Sequence, residues 1–163
     1  MTLPLRLPSL LSVVLVSACT TAPVSYAPPG ALNLQVTQVT IDQTICIAGW
    51  TATVRPSTSY TNGVKLKLIR DRGLPDSDVT KYELDHFVPL ALGGHPSSVD
   101  NLWLQLWEGE QGAKKKDQLE ATLHRMVCRH QITLEQARHE IAADWSKAFT
   151  RYVRPDDRLQ PVE

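Results

Sequence analysis

The sequence predicts an α+β fold: a hairpin and helix core, flanked by short strands and followed by a C-terminal helix. Three observations point to it. Tyr82 to Leu90 and the segment around Asp100–Trp103 read as two short strands around a Gly93-Gly94 turn. Leu119, Leu123, Met126 and Val127 then recur at helical spacing. A second helical stripe, Leu134, Ala137, Ile141, Trp145 and Phe149, follows Thr133 and Gln136, which are spaced as a capping box.

Taken in order, residues 1–18 have the composition of a signal peptide, with Arg6 as the only side-chain charge and an apolar run from Leu10 to Val16 too short to span a membrane. Val16-Ser17-Ala18-Cys19 resembles the bacterial lipobox, which implies lipidation at Cys19 and a mature chain anchored at the cell envelope, facing the periplasm or the exterior. A tether over 19–33, rich in Thr, Ala and Pro, leads to one domain over 34–153 and a tail over 154–163. Val36, Val39, Ile41, Ile45 and Ile47 predict one or two short strands between Leu34 and Val54, with a turn at Gly49 and Trp50 as a core or lid aromatic. Thr61 is placed to cap a helix from Asn62 to Arg72, closed by Gly73 and Pro75. The later helices are expected over Ala113–Arg129 and from Thr133 to Tyr152, the last stopped by Arg154-Pro155.

Composition narrows the function. The chain has 163 residues, 42% of them hydrophobic and 21% charged, which suits one domain with a core of its own. Its formal net charge is +0, so a polyanion has to be held by a local patch rather than by a global basic field. Lys65, Lys67, Arg70 and Arg72 form one such cluster, and Lys114, Lys115 and Lys116 another, in a first helical turn where cations are unfavourable. Each is either a solvated face or a phosphate-binding surface, and Lys116, Lys65 and Arg72 are the residues taken for contact with nucleic acid. With Cys19 lipidated, Cys46 and Cys128 remain, and in an oxidising compartment they are expected to pair, contributing roughly 4 kcal/mol. No phosphate-binding Gly loop, GxSxG or HExxH motif is present.

The chemistry gathers at Asp85-His86, with Asn101 fifteen positions after the histidine. These residues, with the hairpin-helix order around them, resemble the HNH or ββα-metal endonucleases, over roughly Tyr82 to Glu120. The resemblance implies that His86 is the general base, Asp85 a metal ligand, and Asn101 the middle asparagine that holds the loop and orients the histidine or binds the metal. It departs at Ala113, which stands where a second metal-binding histidine is expected if Lys116 matches the family lysine. Asp117 is then the preferred replacement ligand, and Glu120 the alternative, both on the same side of the helix. The implied cofactor is a divalent cation, Mg²⁺ or Mn²⁺ first and Zn²⁺ as an alternative, and the implied substrate is nucleic acid, DNA ahead of RNA. The competing reading is a non-catalytic envelope lipoprotein on a degenerate scaffold of the same kind, binding nucleic acid or a protein.

Overall fold

A computed structural model describes residues 30–155. The expected signal peptide, the Cys19 lipidation site and most of the tether and tail lie outside them. Among the described residues the fold is α+β, with helices α1 (Trp50–Val54), α2 (Thr58–Asp71), α3 (Ala113–Cys128) and α4 (Leu134–Tyr152) around one antiparallel pair, β1 (Tyr82–His86) and β2 (Leu102–Leu106). In the register of that pair Asp85 lies opposite Trp103 and His86 opposite Leu102.

β1 stops at His86, short of the expected Leu90. Beyond it the Val88 N–H bonds to the side chain of Asn101 instead of a strand neighbour, and Pro89 has no N–H to offer a ladder. The connection is therefore a long loop with 3-10 turns at Leu90–Leu92 and Val99–Asn101, not a tight hairpin turn. Gly93, at φ 76°, closes the first of these turns in the left-handed region.

The strands expected between Leu34 and Val54 are absent. That segment is a set of turns, a 3-10 turn at Ile41–Gln43 and helix α1, with one isolated bridge from Leu32 to Gly94. Local hydrogen bonding explains the difference: the Thr40 hydroxyl donates to the Gln35 carbonyl at 2.7 Å and Thr44 to the Thr40 carbonyl at 2.6 Å. Threonines that bond to their own backbone in this way favour turns over ladders. Helix α2 starts at Thr58 rather than Asn62, because Ser57 supplies the cap by accepting from the Tyr60 N–H.

The core lies between α3 and α4, where Leu119, Leu123 and Val127 meet Ala137, Ile141 and Phe149. Burying each large aliphatic here contributes about 1.5–3 kcal/mol. Thr133 and Gln136 form the expected capping box, and α4 is kinked at Asp144, whose side chain accepts from the Lys147 N–H and restarts the helix. Arg138 ties the loops to this core by donating to the Leu92 and Val36 carbonyls.

Cys46 and Cys128 are joined, with Cα atoms 5.5 Å apart and 82 positions between them in sequence. In the chain-entropy account a loop of that length stabilises by about 4.5 kcal/mol. The double substitution Cys46→Ser, Cys128→Ser should lower unfolding free energy by roughly that amount in a urea titration. A loss below about 1 kcal/mol would mean that the bond constrains little.

Candidate functional site

His86 ends β1, where the strand gives way to the loop, and is 8% exposed. Its Nε2 lies 2.9 Å from the Pro96 carbonyl, which can only accept, so Nε2 carries the proton and Nδ1 keeps the lone pair. Burial lowers the imidazole's pKa below its ordinary 6.5, against the opposing pull of the Pro96 carbonyl and Asp85, and the ring stays neutral. A neutral ring of fixed tautomer is what a general base needs.

The loop that presents Pro96 is held by Asn101. This side chain is 0% exposed, and its amide oxygen accepts from the Val88 N–H at 2.8 Å. Its amide nitrogen donates to the Val88 and His95 carbonyls at 2.9 and 3.0 Å. His95 braces the same loop, its Nδ1 accepting from the Ser97 and Ser98 N–H groups. The chain passes so close that a Cβ on Gly94 would lie 1.8 Å from the Val88 carbonyl oxygen and 2.7 Å from the Asn101 amide nitrogen. The Asn101 amide is thus engaged on three backbone groups and holds the loop.

Lys116 is the largest departure from the expected surface. Its ammonium is 0% exposed and donates to Asp85 Oδ2 at 2.7 Å, to the His86 carbonyl at 2.8 Å and to Glu120 Oε1. It cannot grip a phosphate backbone from there. Burial disfavours the charge, but Glu120 and Asp85 more than offset that, and Lys116 stays protonated. Asp85 is equally occupied: Oδ1 accepts from the His86 N–H at 2.7 Å, and Oδ2 also receives the Trp103 indole N–H at 3.4 Å.

Around this triad lies a pocket of about 140 Å³ whose walls include Arg55, Glu83, Asp85, His86, Asp117 and Glu120. Burial pushes the Glu83 carboxyl up to about 7, with Asp85 and Asp117 adding to it, and one of its oxygens is buried without a hydrogen-bond partner. Burial and the nearby Asp85 also raise Asp117, and Glu120 rises with burial against the pull of Lys116. Four carboxylates thus gather around one buried ammonium, with Lys65 acting on Glu83 and the exposed Arg55 on Asp117. The donors are hard oxygens of the kind Mg²⁺ and Mn²⁺ take, and an orphaned carboxylate oxygen is among them, but no three of their ligand atoms lie within 4.8 Å of one another.

Other expected cations have local partners. Arg72 donates to the Leu104 carbonyl at 3.3 Å, Lys67 pairs with Asp71 and Arg70 with Asp76, while Lys65 acts on Glu83. Lys114 and Lys115 pair with Glu108 and Glu110, which accounts for their place in a first helical turn. Glu83 and Arg55 were not among the expected site residues. Strand alternation carries the signal for Glu83, since it shares a face with Asp85 two residues on, whereas nothing local marks Arg55. Elsewhere, Cys46, His124 and Cys128 form a group that could hold a metal ion, the one such trio with its ligand atoms within 4.8 Å of one another among the described residues. Compared with family models, curated proteins and solved structures, the chain matches none.

Two expectations follow from this geometry. Lys116→Met should cost about 3–5 kcal/mol, because it leaves Asp85 and Glu120 buried without their counter-charge; a urea titration showing under 1 kcal/mol would refute the role. The raised Glu83 means that the folded state holds this proton more tightly than the unfolded chain. Its contribution is therefore full below pH 4.5 and is lost as pH rises toward 7. In chelator-treated protein the melting temperature should fall across that window, Glu83→Gln should flatten the fall, and Mg²⁺ should reduce it. A wild-type profile indistinguishable from that of Glu83→Gln would contradict the assignment.

Proposed function

We propose that this chain hydrolyses nucleic-acid phosphodiester bonds, DNA ahead of RNA, through an HNH-type arrangement of β1, β2 and α3. The observation that carries the reading is the His86 ring, fixed by the Pro96 carbonyl through Nε2 and lining one pocket with Glu83, Asp85, Asp117 and Glu120. His86 Nδ1 takes the proton from the attacking water. Asp85 and Asp117, joined by Glu83, would hold a divalent cation, Mg²⁺ or Mn²⁺, which when bound neutralises the charge that builds on the phosphoryl oxygens. Arg55, exposed at the pocket wall, receives a phosphate of the substrate backbone. Asn101 acts through the loop, holding Pro96 where it fixes the base. Export and lipid anchoring at Cys19, which would place the enzyme at the cell envelope, belong to the same proposal and rest on residues 1–19.

A second reading has its own support. Lys116 places an ammonium between Asp85 and Glu120, an internal cation within the oxygen cluster, and this favours a non-catalytic scaffold that binds without turnover. Metal binding separates the two. An enzyme gains melting temperature with Mg²⁺ or Mn²⁺ and loses that gain in Asp117→Ala, whereas a metal-free scaffold gains none.

The decisive assay is nicking of plasmid DNA by the purified chain with Mg²⁺ or Mn²⁺. His86→Ala should lower the rate by about 10²–10⁴-fold, and a chelator should stop the reaction. Nicking that survives His86→Ala would remove the histidine from the mechanism.

A further inference from the structure

The disulfide has a third neighbour. One ligand atom each of Cys46, His124 and Cys128 lies within 4.8 Å of the other two, and all three side chains are half-buried. His124 and Cys128 are one helical turn apart on the same face of α3. Cys46 approaches from the turn that follows Ile41–Gln43. Next to it in sequence, the Ile45 carbonyl receives His124 Nε2 at 2.8 Å. Since a carbonyl only accepts, the proton sits on Nε2 and the lone pair on Nδ1. Metal-binding imidazoles are oriented in this way, by a backbone carbonyl on the nitrogen that does not ligate.

We propose that Cys46, His124 and Cys128 form a redox-gated site for a borderline-soft divalent cation of the Zn²⁺ class, closed while the cysteines are bonded and opened when a dithiol reduces them. Reduction transfers two electrons and two protons: the dithiol closes to its own disulfide, the Cys46–Cys128 bond breaks and two thiols result. Binding then releases both thiol protons to solvent and forms two metal–sulfur bonds and one bond to His124 Nδ1, leaving the fourth position to water. The two thiolates balance the charge of the ion. With Cα atoms 5.5 Å apart, both sulfurs can reach one ion at about 2.3 Å by side-chain rotation alone. Access exists as well, since Cys46 and His124 line an open pocket of about 430 Å³. The metal thus replaces the covalent staple between α3 and the segment before α1.

Cobalt is a direct probe. The full purified chain, reduced with a phosphine that is then removed without air, should develop thiolate-to-cobalt charge-transfer absorption that saturates at one Co²⁺ per chain and is displaced by Zn²⁺. The oxidised chain should show none. His124→Ala should weaken Zn²⁺ binding at least tenfold, while His124→Cys, which keeps a ligand, should retain it. Circular dichroism covers the case in which reduction unfolds the chain: Zn²⁺ then restores the folded spectrum. No cobalt band in the reduced chain, unchanged affinity in His124→Ala, or failure of Zn²⁺ to restore a reduced, unfolded chain would each overturn the proposal. None of these readouts depends on nuclease activity.

Discussion

A single buried ammonium holds the site together. Lys116 has no access to water, and an unpaired charge in that position would cost several kcal/mol, so its partners must come to it. Asp85 and Glu120 supply the charge, and the His86 carbonyl takes a third donor direction. The consequence is geometric. Two of the three partners are consecutive residues at the end of β1, so the strand is pinned to α3 at the residue that carries the imidazole.

The imidazole's own orientation comes from a different source. Asn101 bonds to Val88 and His95, and the loop so gathered offers the Pro96 carbonyl to His86 Nε2. Gly94 allows the approach, because any side chain there would displace either the Val88 carbonyl or the asparagine amide. Position and tautomer are thus set independently, one by an ion pair across 31 residues and the other by a neutral amide across 13. Both must hold for the ring to line the pocket in one fixed tautomer.

What was legible in the sequence follows from the range of the forces involved. The capping box at Thr133 and Gln136 and the apolar stripe of α3 are local, and both are present. The run from Val36 to Ile47 misleads because its β-branched residues suggest strands, yet its threonine hydroxyls bond to nearby backbone and no partner strand pairs with it among the described residues. Lys116 is the instructive case. It falls three residues after Ala113 and three before Leu119, both fully buried, so helical periodicity alone assigns it to the apolar face. Its charge class suggested a surface; its position determined its burial. Arg55 had no such signal, since only tertiary packing brings it beside Asp117 and His86.

Helix α3 carries two donor chemistries, and Asp117, Glu120 and His124 line one pocket with Cys46. Asp117 and Glu120, with Asp85 and Glu83 opposite, present hard carboxylate oxygens, while His124 and Cys128, with Cys46, present nitrogen and sulfur. Hard ions such as Mg²⁺ prefer the first set and borderline-soft ions such as Zn²⁺ the second. The difference in donors also bears on stability. The carboxylate end already contains its own cation in Lys116 and stays compact without an added ion, whereas the thiol end, once reduced, has nothing else among the described residues to bridge α3 to the Cys46 segment covalently. On the two proposals above, an added ion would tune charge at the carboxylates and restore a cross-link at the thiols, two roles that follow from which partner each set of donors already possesses.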